Sequence, residues 1–226
     1  MHHLKTGVII LAKIKKATKK DIEIIKQKFI EKYSEAVTEL NYTNDYELLI
    51  AIILSAQCTD KRVNIITPAL FEKYPTSKDL ASANLEDVKK LLKTCSFFNN
   101  KAKNIIKMAQ SVQEVYNGVI PRDTKQLIKL AGVGNKTANV FMIEACGENL
   151  MAVDTHVFRV SHRLGLSDAP NVTKTEEQLV KRLKDDLHIF HQAMVLFGRY
   201  TCKAINPDCT NCLFPEVCKT KETFRV

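Results

Sequence analysis

Apolar residues recur along almost the whole chain at the three-to-four-residue spacing of a helix, and this pattern predicts an all-α protein with short loops. Residues 18–33 place Ile22, Ile25 and Phe29 on one face, with Thr18 and Asp21 as a cap pair at the start. Asn44 followed by Glu47 opens a helix running to about Gln57. That helix is apolar nearly all round, so it is expected to be the buried central one. Residues 60–73 continue helically, with Pro68 read as a break or a new first turn. Asn84 and Asp87 open an amphipathic helix over 85–94. A short polar-aromatic connection over 96–100 then holds the adjacent Phe97 and Phe98. Residues 101–117 put Ala102, Ile105, Ile106, Ala109 and Val112 on one face and close on Gly118. Further helices are predicted over 124–131, 135–146, 154–164 (closed by Gly165), 173–186 (opened by Thr173 with Glu176) and 188–200. No stretch alternates with period two, and no repeat, low-complexity tract or Gly/Ser linker marks a domain boundary.

Length and composition narrow the picture. The 226 residues allow one large domain or two small ones. Hydrophobic content of 45% and charged content of 26% are those of an ordinary soluble protein. A net charge of +9 points to an anionic partner, nucleic acid or a membrane surface. The longest apolar runs, such as 48–54, are far too short to span a bilayer. The apolar run 7–12 is brief, lacks a small-residue cleavage site and is followed by lysines, so no export signal is expected. His2-His3 receives no function. Seven cysteines, an odd number, argue against a closed disulfide framework. Cys58, Cys95 and Cys146 lie in apolar helical surroundings and read as small buried hydrophobes. Reduced thiols and no export signal predict the cytoplasm.

Three short stretches carry chemistry. The first is Gly132-Val133-Gly134, which concentrates two of seven glycines between two predicted helices. Such a turn, with the helix start behind it, offers backbone N–H groups to a phosphate, and Lys136 follows two residues later. The second is Val153-Asp154-Thr155-His156, in which Asp154 suits a helix N-cap as well as a catalytic carboxylate. The third is the tail Cys202, Cys209, Cys212 and Cys218, spaced C-x6-C-x2-C-x5-C. Four thiolates in so short a segment suit zinc or an iron–sulfur cluster, and the spacing by itself leaves the two open. Lys203, Lys219 and Lys221 would let the same tail touch phosphates. Lys101, Lys103, Arg159 and Arg163 are further candidates for a phosphate-lined surface.

In this order, these motifs resemble the helix-hairpin-helix DNA glycosylase superfamily and, within it, the endonuclease III family. The likeness runs from about residue 36 to residue 219. Leu54-Ser55-Ala56-Gln57-Cys58-Thr59-Asp60 is similar to the family's LSAQ-x-TD stretch, and Phe97-Phe98-Asn99-Asn100-Lys101-Ala102 to its intercalation loop. Residues 130–140 match its hairpin and lysine, 153–157 its aspartate stretch, and Arg199-Tyr200-Thr201-Cys202 the start of its cluster loop. There are departures: Ala131 stands where a proline is usual, Ser96 where a glycine is, and Phe97 where a leucine often serves as the wedge.

The resemblance implies two all-α lobes with double-stranded DNA in a groove. A barrel-like lobe carrying the hairpin would span 38–148, and 1–37 would join 149–226 in a cluster-bearing lobe. It implies a monomer and a [4Fe–4S] cluster on the four tail cysteines. It further implies a base-excision-repair enzyme that removes oxidised pyrimidines and cleaves abasic sites by β-elimination. Lys136 would be the nucleophile and Asp154 its carboxylate partner. Gln57, Phe97 and Asn99 would work at the extruded base, Gly132, Val133 and Gly134 would grip a phosphate, and His156 would be a further DNA contact. Two alternatives stand beside this. One is an adenine-mismatch glycosylase of the same superfamily, which generally lacks a lysine at the position of Lys136 and carries a further C-terminal domain. The other is a non-catalytic iron–sulfur DNA-binding or redox module, which leaves Lys136 and Asp154 unexplained.

Overall fold

The computed structural model of the chain describes residues 15–220; the run 7–12, His2-His3 and Lys221 lie outside them. Among the described residues there are eleven helices and no strand, the all-α class that the periodicity predicts. The chain divides into two compact units, one of residues 36–152 and one formed by the segments on either side of it.

The 36–152 unit is built around α2 (Asp45–Ser55). Asn44 caps it by accepting from the Glu47 amide, and every residue from Leu48 to Leu54 is buried. The next helix, α3 (Asp60–Lys73), runs straight through Pro68 where the sequence suggested a break. A proline removes one N–H and crowds the previous turn, but the buried Val63, Ile66, Thr67 and Leu70 hold the flanking turns against the core. A five-residue helix that the periodicity did not reveal, α4 (Ser77–Ala81), starts with a Thr76–Asp79 capping box. Then come α5 (Leu85–Leu92), α6 (Phe98–Tyr116), α7 (Thr124–Leu127) and α8 (Asn135–Cys146). α4 and α5 pack on α6, and α6, α3 and α8 all pack on α2. One continuous apolar core from Leu40 to Met142 joins them.

The other unit gathers α1 (Lys19–Tyr33), α9 (Thr155–Arg163), α10 (Val172–Leu183) and α11 (Leu187–Tyr200). The expected Thr18–Asp21 capping box opens α1. α10 begins earlier than predicted, because Asn171 rather than Thr173 caps it by accepting from the Lys174 amide. α11 packs on both α1 and α9. Its core is aromatic: Phe29 meets Phe214 at 4.7 Å and Phe197 at 5.8 Å, and Phe197 meets Phe214 at 5.2 Å between ring centroids. Phe214 lies between Cys212 and Cys218, so packing as well as any metal anchors the tail. No described helix is long and apolar enough to cross a membrane.

Candidate functional site

The hairpin is the α7–turn–α8 segment. Asp123 caps α7 by accepting from the Gln126 amide, and the chain leaves that helix through Leu130 into the two glycines. Gly132 sits at φ +82°, a conformation only glycine adopts freely, and a Cβ there would lie 3.0 Å from Asn104 Cβ on α6. Gly134 is different. It is the N-cap of α8 in extended conformation, with no side-chain cap bond, and a Cβ there would meet nothing within 4 Å. The first amides of α8 have no carbonyl four residues back, so the turn ends in an exposed set of donors at a positive helix end. The Val133 amide is not one of them, since it donates to the Leu130 carbonyl at 3.1 Å and its side chain is buried. Lys136 stands exposed in the first turn of α8, two residues after Gly134.

The same unit carries the two loops expected to meet the base stack. Gln57, just after α2, is exposed at φ 54°, and Phe97, the N-cap of α6, is 62% exposed at φ 57°. Both are non-glycine residues in the left-handed region, where strain of order 1–3 kcal/mol each is tolerated only under strong local constraint. Phe98 turns the other way and packs on the core, while Asn99 is exposed in the first turn of α6.

In the second unit, Asp154 is the N-cap of α9. Its Oδ1 accepts from the Val157 amide at 2.7 Å, which fixes the half-buried carboxylate at one end of the helix. His156 is half-buried in the first turn of the same helix. Its Nδ1 accepts from Arg159 Nη2 at 3.0 Å, which leaves Nε2 to carry the ring proton. Burial pushes the His156 imidazole below its ordinary value, and the nearby Asp154 charge opposes this in part.

Cys202, Cys209, Cys212 and Cys218 line a single cavity together with Arg163, Pro207 and Pro215. Among the described residues, no group of three or more His, Cys, Asp or Glu side chains is placed so as to hold a single metal ion. Arg163 is 9% exposed and grips the loop: Nη1 donates to the Lys203 carbonyl at 2.6 Å and to Cys202 Sγ at 3.3 Å, and Nη2 to the Ala204 carbonyl at 3.3 Å. Arg159 Nε donates to the Cys202 carbonyl at 2.9 Å. The Phe214 amide donates to Cys212 Sγ at 3.4 Å. Burial raises the Cys202 thiol, against the pull of Arg163, and raises the Cys212 thiol likewise. Arg159 and Arg163 thus brace the thiol loop through α9, where the sequence suggested phosphate contacts. Lys101 is likewise inside the protein, not on its surface.

The profile of the HhH-GPD superfamily base excision DNA repair proteins matches residues 50–185, and the chain belongs to that superfamily. Within it, the chain is 42% identical to endonuclease III of Bacillus subtilis over 202 residues, spanning 88% of this chain and 92% of the relative. It is also 42% identical to endonuclease III of Escherichia coli K12 over 186 residues, 82% of this chain and 88% of the relative. Its fold superposes on that in a solved structure of a non-covalent endonuclease III–DNA complex with a TM-score of 0.86 at 42% identity, covering 91% of this chain and 97% of the other. A trapped endonuclease III–DNA covalent intermediate superposes with the same score and identity, over 91% and 98% of the two chains.

Proposed function

We propose that this base-excision-repair DNA glycosylase and AP lyase acts on oxidised pyrimidines in double-stranded DNA, with Lys136 as nucleophile and Asp154 as its carboxylate partner. The observation that carries the reading is the hairpin, in which a helix start without a side-chain cap is followed two residues on by an exposed lysine. A base within a duplex is out of reach, so the damaged nucleotide is extruded. Gln57 and Phe97 occupy the space it leaves, the flat apolar ring of Phe97 serving as the wedge, with Asn99 beside them. The α8 N-terminal amides, with the Gly132 and Gly134 backbone, hold a phosphate near the lesion, while Val133 anchors the turn in the core. His156 contributes a further DNA contact.

Neutral Lys136 Nζ attacks the sugar C1′. The glycosidic bond breaks, and the base leaves with its bonding electrons and takes up a proton. The attached nitrogen gives up a proton, the C1′–O4′ bond breaks with its electron pair going to O4′, which is protonated, and the nitrogen lone pair forms the C1′=N bond of a protonated Schiff base. Removal of a C2′ proton then forms the C2′–C3′ double bond and expels the 3′ phosphate. Water finally hydrolyses the imine and frees Lys136. Asp154, rigid as a helix cap, stabilises the positive charge developing on the sugar and assists the proton transfers.

Cys202, Cys209, Cys212 and Cys218 would hold a [4Fe–4S] cluster, and the fit rests on four thiols around one cavity with a buried guanidinium beside them. Bound there, the cluster would cross-link the loop. An absorbance band at about 400 nm in the purified protein distinguishes it from zinc. The enzyme is expected to work as a cytoplasmic monomer.

Borohydride trapping on an abasic duplex tests the chemistry. Wild type gives a covalent protein–DNA adduct, and Lys136→Gln gives none while folding normally, because the side chain is exposed. A wild-type protein that neither cleaves nor traps abasic DNA refutes the lyase assignment. An adduct that survives in Lys136→Gln refutes the nucleophile.

A further inference from the structure

Lys101 lies in the first turn of α6, yet only 6% of it is exposed. Its ammonium donates to the Leu54 carbonyl at 2.8 Å, the Ala56 carbonyl at 2.6 Å and Cys95 Sγ at 3.3 Å. A lysine has three donors, and here each has an acceptor. Two of the acceptors are carbonyls at the C-terminal end of α2, where intrahelical amides run out and the helix dipole is negative. The third lies two residues before Phe97. The backbone of Lys101 reaches the same loop, since its amide donates to the Phe97 carbonyl at 3.1 Å.

These contacts converge on two unusual backbone positions. Gln57 follows directly on Ala56, and Phe97 is an N-cap without a side-chain cap bond; both are left-handed non-glycine residues. Such conformations persist where the surroundings over-determine them. Lys101 supplies that constraint to both loops at once, from inside the protein and out of reach of DNA.

We propose that Lys101 is a positioning residue for base extrusion, locking the Gln57 and Phe97 loops into the paired conformation that fills the vacated place in the duplex. This rests on the stack-filling role assigned above to Gln57 and Phe97. A lysine that merely supports the fold would affect all substrates alike. A lysine that sets the two loops matters only where there is a stack to fill.

The test compares single-turnover cleavage of an abasic site in duplex DNA with cleavage of the same site in a single strand, which has no stack to replace. Lys101→Met is expected to slow duplex cleavage about tenfold or more, as displaced positioning groups do, with the single-strand rate little changed. In a Gln57→Ala/Phe97→Ala background, Lys101→Met should cause no further loss of the duplex-to-single-strand ratio. Equal losses on both substrates, or full additivity with the loop changes, overturn the proposal. Should Lys101→Met fail to fold, Lys101→Arg keeps a cation at the site but alters its reach, and it faces the same ratio criterion. If the Gln57→Ala/Phe97→Ala protein itself keeps the wild-type ratio, the stack-filling reading fails and takes this proposal with it. A loop-sensitive enzyme indifferent to Lys101 refutes this proposal alone.

Discussion

Asp154 combines two properties that usually have to be tested separately. Its carboxylate caps α9 through the Val157 amide, and its charge is the feature the proposed chemistry calls on. Asn caps a helix about as well as Asp, while Ala costs about 1 kcal/mol. Asp154→Asn should therefore melt within a degree or two of wild type but lose most of its lyase rate, and Asp154→Ala should lose both stability and rate. Equal activity in Asp154→Asn and wild type, measured beside thermal melts, would reduce the residue to a cap. Single residues were unevenly legible in the sequence. The Asp154 cap follows from local spacing alone, and so does the placing of Lys136 at a helix start. Lys101 and Arg163 do not follow, because burial of a cation depends on which distant carbonyls face it. Leu54 and Ala56 lie some 45 positions from Lys101, and Lys203 lies 40 from Arg163. The left-handed backbones of Gln57 and Phe97 are invisible for a related reason, since neither residue type favours that region.

At the scale of the element, the two glycines of the hairpin separate folding from binding. Gly132 needs its positive φ and is crowded by Asn104, so Gly132→Ala should lower stability by about 1 kcal/mol or more in urea unfolding. Gly134 has ordinary dihedrals and open space, so Gly134→Ala should unfold like wild type. The added methyl would nonetheless stand beside the α8 amides and keep a phosphate away, weakening abasic-duplex binding several-fold. A Gly134→Ala protein with unchanged DNA affinity would count against the amide grip. Most helices were legible because their apolar spacing and caps agree, as in α1 and α5. Those misjudged lacked one of these signals. α4 is too short to show a period, and α3 carries a proline that its packing overrides. At the start of α10, Asn171 and Thr173 offered competing caps, and Asn171 is the one that accepts from the helix amide.

Across the whole chain, the 36–152 unit is an insertion between two segments that build the other unit together. The excess of 34 Lys and Arg over 25 Asp and Glu suits a polyanionic partner but does not hold these distant segments in place. Aromatic packing of Phe29 on Phe214 does so, and so do ion pairs. In the most buried of those among the described residues, Lys219 Nζ lies 2.7 Å from Asp21 Oδ2, with both side chains largely buried. The Lys219 bond is the main reason the Asp21 carboxyl falls from its ordinary 3.8 to about 2, helped by the Thr18 backbone amide. A depressed carboxyl stabilises the fold fully above its unfolded value and loses that contribution as acid titrates it through the folded one. Asp21→Asn keeps an acceptor for the Thr18 cap and removes only the charge. In urea titrations it should therefore be less stable than wild type near neutrality. The gap should begin to close below about pH 4, be mostly gone near about pH 2, where wild-type Asp21 is half protonated, and vanish only below that. A gap that stays constant across that acid range would mean that the pair does not tie the first helix to the segment beyond the fourth cysteine through its charge.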